Sequence, residues 1–330
     1  MAAKITSLPP IIVTMGDPAG VGPRLVAEAW LQRRKRALPP FVFIGAPEVF
    51  NRQGTDIPVE IAHTPSEILN GDFGEALTVY PITLKARALP GEPSQKNAQP
   101  ILKSIEVGVK AIEKGFGSSL VTCPINKKVL LEANFKHIGH TGFLGELTGA
   151  EPVMMLANEE IRVVPVTVHL PLKDVPKVLT KNRIVETAKI VAHDLEKRFG
   201  IHNPRLALTG LNPHAGEEGK LGDEEIKTII PALKEIRSLG IFAEGPFPAD
   251  TAFTQPMRMK YDAFLAMTHD QALIPIKTLD FRKTVNLTLG LPIVRTSPAH
   301  GTAFDLVKDG RTPDPESFIQ ALLMADRLSS

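Results

Sequence analysis

One recurrence constrains this chain more than any other feature: short runs of Val, Ile and Leu alternate with segments whose apolar residues return at helical spacing. The runs Pro10–Met15, Phe41–Ile44, Leu77–Tyr80, Leu120–Thr122, Val153–Leu156, Arg162–His169, Arg205–Gly210 and Ala263–Thr268 read as strands. Pro100–Lys114, Ile184–Phe199 and Asp223–Leu239 read as helices. Strands that are apolar throughout suit a sheet covered on both faces, so the alternation predicts an α/β fold with a largely parallel sheet. At 330 residues the chain is long for one core, which favours one large domain or two intimately joined ones. There is no internal repeat and no low-complexity segment.

Charge excludes some partners. With 38 basic and 36 acidic residues the net charge is +2, which leaves no broad footprint for nucleic acid. The dense basic run Arg33–Arg36 reads as a solvated helix end. A single cysteine, Cys123, excludes an internal disulfide and fits a reducing compartment. No apolar run approaches the roughly 18–20 residues that span a bilayer, and the N-terminus lacks the apolar core of a signal peptide. The expectation is a cytoplasmic protein with no membrane partner.

In open α/β sheets ligands gather at the carboxyl ends of strands. The polar, glycine-rich stretches of this chain fall at such ends: MGDPAGVGP, CPINK, HLPLKD, NPHAG and HDQ. Five decorated ends imply a cleft. His169, His214 and His269 occupy the same slot, at or just past the end of an apolar run. Three neutral imidazoles meeting at one point would hold a divalent ion with an open coordination position. Three equivalent slots favour that reading over three separately hydrogen-bonded loop residues. Imidazole accepts zinc, cobalt or nickel, so the metal's identity does not follow.

His140 and Thr141 in GHTGF offer a ring and a hydroxyl to a polar substrate, although Thr141 can equally cap a helix. Lys277, Asn286 and Arg295 end consecutive apolar stretches and make an anion-binding set, or else a surface salt-bridge network. Asp250 and Asp270 can act as proton carriers or as carboxylates behind metal ligands.

The blocks MGDPAGVGP, GHTGFLGELTG, HLPLKDV, LNPHAGEEGKLGDEE, GPFPADTAF, HDQALIPIK, VNLTLGLP and RTSPAHGTAFD resemble, in the same order, those of the 4-hydroxythreonine-4-phosphate dehydrogenase (PdxA) family of vitamin B6 biosynthesis. The resemblance runs from about Ile12 to about Phe318. It implies NAD- or NADP-linked, divalent-metal-dependent (zinc, magnesium or cobalt) oxidation of 4-phosphooxy-threonine at its 3-hydroxyl. Decarboxylation to 3-amino-2-oxopropyl phosphate then follows. His169, His214 and His269 would be metal ligands, and His140, Thr141, Lys277, Asn286 and Arg295 substrate contacts. Lys277 and Asp250 would be the catalytic candidates. The family's active site is shared across a homodimer, so a partner chain would supply the third histidine.

The segment Arg295–Ser317 is also similar to the nucleotide loop of isocitrate and isopropylmalate dehydrogenases, which places His300, Gly301 and Thr302 on the cofactor side. Those enzymes have no classical Rossmann domain, and GDPAGVG here breaks the Gly-x-Gly-x-x-Gly spacing. The analogy implies a two-domain α/β/α architecture with an active-site cleft between domains. Residues 1–126 plus 278–330 would form the cofactor side, and 127–277 would carry the metal ligands and the dimerisation surface.

Two positions depart from the family pattern: Arg24 and Gly142 stand where acidic residues are usual. Gly142 adjoins His140 and Thr141. It leaves room for a relative's substrate, such as phosphothreonate, phosphoerythronate or an aromatic cis-diol carboxylate. From the residues alone, a metal-dependent hydrolase or lyase of a phosphorylated metabolite is the alternative of another class.

Overall fold

The structure, a computed structural model, describes residues 8–137 and 139–330. The first strands are β1 (Ile11–Thr14), β2 (Phe41–Gly45), β3 (Val59–Ile61), β4 (Leu77–Pro81), β5 (Leu120–Thr122) and β6 (Val153–Ala157). They are followed by β7 (Arg162–Pro165), β8 (Leu206–Thr209), β9 (Ala243–Phe247), β10 (Ala263–Ala266), β11 (Val285–Leu289) and β12 (Arg295–Pro298). The helices begin with α1 (Gly22–Gln32), α2 (Glu48–Arg52), α3 (Ala98–Glu113), α4 (Lys127–Glu132), α5 (His140–Thr148), α6 (Val175–Val178) and α7 (Lys181–Lys197). The rest are α8 (Ile230–Ser238), α9 (Ala249–Ala252), α10 (Gln255–Lys260), α11 (His269–Asp280), α12 (Phe304–Lys308) and α13 (Glu316–Ser329). Contacts divide the chain into two units: the chain up to Ala150 together with Leu291–Ser330, and Glu151–Gly290.

In the first unit the strands lie in the order β3-β4-β2-β1-β5-β12, and every neighbouring pair is parallel. All residues of β1, β2 and β5 are buried, as parallel strands covered on both faces must be. Helix α3 lays Ile101, Ile105 and Val109, one turn apart, against β1 and β2. Each such side chain contributes about 1.5–3 kcal/mol by leaving water. Gly108 lets α3 approach closely, because a Cβ there would stand 2.9 Å from the Leu120 Cδ1. Helix α13 covers β12 with Phe318, Ile319 and Leu322.

The basic run after α1 is put to structural use. Arg33 stacks over Trp30, 3.5 Å from the ring centroid, and Arg36 forms a bidentate pair with Glu316 at 2.9 Å for each bond. Arg24 ties α1 to two carbonyls, donating from Nε to Gln53 (3.1 Å) and from Nη1 to Arg311 (2.8 Å). An acidic side chain could make neither bond.

The second unit has the order β11-β6-β7-β10-β8-β9. Here β11–β6 and β6–β7 are antiparallel, whereas β7–β10, β10–β8 and β8–β9 are parallel. The sheet of this unit is therefore mixed. Asn158 accounts for part of that: its Oδ1 accepts from the Glu160 and Ile161 amides at 3.0 and 3.1 Å, folding β6 back onto β7 as a hairpin. So few residues cannot make a parallel crossover.

Other differences from the sequence reading have local causes. β9 carries Gly245 and Pro246 and lies at the edge of its sheet, where Pro is tolerated. β12 is short and polar. The segment expected as one helix from Asp223 begins with a π-helical turn, Glu225–Ile229, before α8. No helix among the described residues is long and apolar enough to cross a membrane.

Candidate active site

The three histidines sit at the carboxyl ends of three adjacent parallel strands of the second unit, β7, β10 and β8. Beyond β7 the chain bends but stays bonded to β10 and the residue after it: the Val166 amide donates to the Ala266 carbonyl at 2.8 Å and the Thr167 hydroxyl to the Met267 carbonyl at 2.6 Å. Only Val168 separates this pair from His169. His269 is the first residue of α11, whose start is fixed by a capping box between Thr268 and Gln271. Gln271 also donates to the Gly210 carbonyl at 3.0 Å, latching the start of α11 to the end of β8, where His214 follows. The rings of His169 and His269 have centroids 5.5 Å apart.

Two of the imidazoles have a carboxylate on Nδ1. His214 meets the Glu217 Oε1 at 2.8 Å, and His269 meets the Asp270 Oδ1 at 2.7 Å. A carboxylate that accepts from Nδ1–H leaves the Nε2 lone pair for an ion and raises its basicity. This donor set fits a divalent metal. Among the described residues of one chain, no three His, Cys, Asp or Glu side chains gather as a complete metal-holding group.

The same unit carries Lys277, Asn286 and Asp250. Lys277 is exposed on α11, its Nζ 5.4 Å from the Phe281 ring centroid. Asn286 lies on β11, with its Oδ1 buried and without a hydrogen-bond partner. Asp250 is exposed in α9.

His140, Thr141, Arg295, His300, Gly301 and Thr302 belong to the first unit. His140 begins α5, and Gly139, not Thr141, is the N-cap. The His140 Nε2 is buried with no partner. Burial, reinforced by the charges of Arg295 and Lys127, holds the ring's pKa well below its ordinary value, so it is neutral at pH 7. Arg295 is 3% exposed and donates from Nη2 to the Thr122 hydroxyl at 2.5 Å. Burial lowers its pKa to about 9, which keeps the guanidinium charged at neutral pH.

The adjacent carboxyl ends of β1, β5 and β12 bring the GDPAG turn beside the His300–Thr302 loop. The Val21 amide donates to the Thr302 carbonyl at 2.9 Å, and a Cβ on Gly20 would stand 3.1 Å from that oxygen. Gly16, at φ 66°, has no room for a side chain: a Cβ would be 2.5 Å from the Pro124 carbonyl. The His300 Nδ1 donates to the Gly301 carbonyl at 3.0 Å.

Sequence reasoning missed Asp17, Lys127, Glu217 and Glu225. Asp17 is 1% exposed; its Oδ1 accepts from the Ala19 amide at 3.0 Å, while Oδ2 has no partner. Burial raises its pKa to about 6. The position of the MGDPAG motif after an apolar run was the available signal. Lys127 has none in its spacing; it is placed by the fold, with its Cε 3.4 Å from where a Cβ on Gly139 would stand. At Gly142 a Cβ would come within 3.2 Å of the His137 Nδ1.

Comparisons with known proteins bear on this geometry. Residues 37–325 match the family described as pyridoxal phosphate biosynthetic protein PdxA. A 4-hydroxythreonine-4-phosphate dehydrogenase of Methylorubrum populi is 47% identical, covering 97% of this chain and 94% of its own. The crystal structure of a 4-hydroxythreonine-4-phosphate dehydrogenase from Klebsiella pneumoniae superimposes with a TM-score of 0.84 at 33% identity, covering 98% of this chain and 100% of its own. A terephthalate 1,2-cis-dihydrodiol dehydrogenase from Burkholderia xenovorans shares the fold, with a TM-score of 0.64 at 24% identity, covering 97% and 98%.

Proposed function

The chain belongs to the PdxA family, and from that premise we propose that it is an NAD- or NADP-dependent oxidoreductase acting on 4-hydroxythreonine 4-phosphate. The 3-hydroxyl loses its proton and its carbon a hydride, which reduces the nicotinamide. The 3-oxo acid then releases CO2, giving 3-amino-2-oxopropyl phosphate on the way to pyridoxal 5'-phosphate.

The observation that best supports this reading is the set of three histidines at adjacent strand ends, two of them backed by carboxylates on Nδ1. His169, His214 and His269 would hold one divalent ion. When bound, such an ion supplies Lewis acidity to a hydroxyl and to the ketone formed from it. The neutral imidazoles leave the ion's charge uncancelled.

The remaining residues bind and orient. Neutral His140 offers a buried ring nitrogen to a substrate hydroxyl or phosphate oxygen without adding charge. Arg295, fixed by Thr122, supplies a cation of set direction for an anionic group. Asn286 presents an unpartnered amide oxygen, suited to an ammonium or hydroxyl donor. Thr141 and Lys277 complete the substrate contacts, and Lys277 and Asp250 are the proposed proton carriers. His300, Gly301 and Thr302 take the cofactor side. The enzyme is proposed to work as a homodimer with its active site shared between chains.

The test is an assay of purified protein with 4-hydroxythreonine 4-phosphate, a divalent metal and NAD or NADP, followed at the absorbance of the reduced nicotinamide. Metal-dependent reduction is expected, and His214→Ala should abolish it. Turnover of phosphothreonate or a cis-diol acid instead would overturn the substrate, and no reduction with any of them would overturn the dehydrogenase.

A further inference from the structure

We propose that Glu225 is a positioning residue for the metal centre, its buried carboxylate serving as the fixed point around which the loop carrying His214 is wound. The inference rests on the reading of His214 as a ligand. Glu225 is 2% exposed. Its Oε1 accepts from the backbone amides of Leu211 and Asn212, both at 2.8 Å, and its Oε2 from the Asn212 side-chain amide at 3.0 Å. Only Pro213 separates these donors from the histidine.

The loop needs such an anchor because it runs with the wrong hand. His214, Ala215, Gly216, Glu217 and Glu218 have φ of 52°, 52°, 81°, 42° and 57°, and four of these five carry a Cβ that disfavours the left-handed region. A segment like this persists only where its surroundings over-determine it. The chain passes so close to the carboxylate that a Cβ on Gly216 would stand 2.6 Å from Oε2, and one on Gly210 3.1 Å from Oε1. Three neutral donors converge on one ionised acceptor, which makes each bond charge-assisted.

Glu225 also opens the π-helical turn Glu225–Ile229. Such single turns recur at functional sites, where the extra residue re-aims a side chain. Its carboxylate contacts the loop's polypeptide while the His214 imidazole has its own partner in Glu217, so Glu225 acts on the metal only through the path of the chain.

The experiment titrates the metal-free, full-length protein with Co2+. Affinity and the visible d–d spectrum are read together with the thermal melting of the metal-free form. In Glu225→Gln one oxygen becomes an NH2 group facing the Asn212 amide, and the charge is lost. Affinity should fall about tenfold and the d–d bands shift, as when a partner behind a metal ligand is removed, with a cooperative melt retained. His214→Ala is run in parallel. Wild-type Co2+ binding in His214→Ala would overturn the ligand assignment and the present inference with it. Loss of binding in His214→Ala beside wild-type affinity and spectrum in Glu225→Gln would overturn the role of Glu225 alone. If Glu225→Gln does not fold, Asn212→Ala decides: it removes the Oε2 contact together with the Asn212 bond to the Glu224 Oε2 at 2.7 Å and leaves both Oε1 bonds in place, and an unchanged affinity and spectrum would likewise refute the proposal.

Discussion

The His214 Nδ1 lies 2.8 Å from the Glu217 Oε1, across a turn in which every residue from His214 to Glu218 has positive φ. The left-handed path brings the two side chains together three residues apart, outside any ordinary helix. With Glu217 accepting, the ring is held as the tautomer whose Nε2 is a metal ligand. Glu217→Ala should therefore weaken divalent-ion binding by roughly 10–100-fold. Competition against a chelator of known affinity measures this, and an unchanged constant would remove Glu217 from the site.

Asp17 makes a prediction about pH. Its carboxyl has a folded pKa of about 6 against an ordinary value of 3.8, because burial disfavours the charged form. The folded state then holds the proton more tightly than the unfolded state. The associated stability is fully present below 3.8 and is lost as pH rises through about 6. A shift of that size corresponds to about 3 kcal/mol. Asp17→Asn, which cannot ionise, should be more stable than the wild type at pH 8 and should lose the decline between pH 4 and 6. Parallel urea denaturation curves across that range test it; identical pH dependence in the two proteins would contradict it.

Arg295 and Thr122 form a pair whose geometry matters more than its charge. The guanidinium gives one Nη2 hydrogen to the Thr122 hydroxyl at 2.5 Å and has further N–H donors in a fixed plane. Lysine keeps the charge and loses the fork. Arg295→Lys should therefore raise the KM for the anionic substrate by roughly 10–100-fold, the scale of one charged hydrogen bond. If steady-state kinetics gave an unchanged KM, Arg295 would not be a substrate contact.

The histidines were legible because β7, β8 and β10 are short apolar runs that end abruptly in polar residues, and parallel strands bring equivalent ends side by side. The antiparallel placement of β6 and β7 was legible only in hindsight, from Asn158, since turn chemistry resides in single side chains and not in a period. β9 and β12 carry too little apolar signal to stand out. Glu225 was hidden for another reason. It reads as the exposed end of an acidic run, and only the path of the loop from Gly210 to Gly216 buries it. Lys127 likewise gains its place from the fold bringing Gly139 against it.

A shared active site makes the last prediction. The resemblance to the family takes the third metal-binding histidine from the partner chain, so in a homodimer with such sites His214→Ala and His269→Ala damage different halves of each site. Each variant alone is inactive. Co-expressed with different affinity tags and purified as the mixed dimer, the two should regain activity, because one of the two sites then has both halves intact. Sedimentation should show a dimer throughout. A mixed dimer that stays inactive would mean that each chain builds its whole site from its own residues, and a catalytically active monomer would dismiss the shared site altogether.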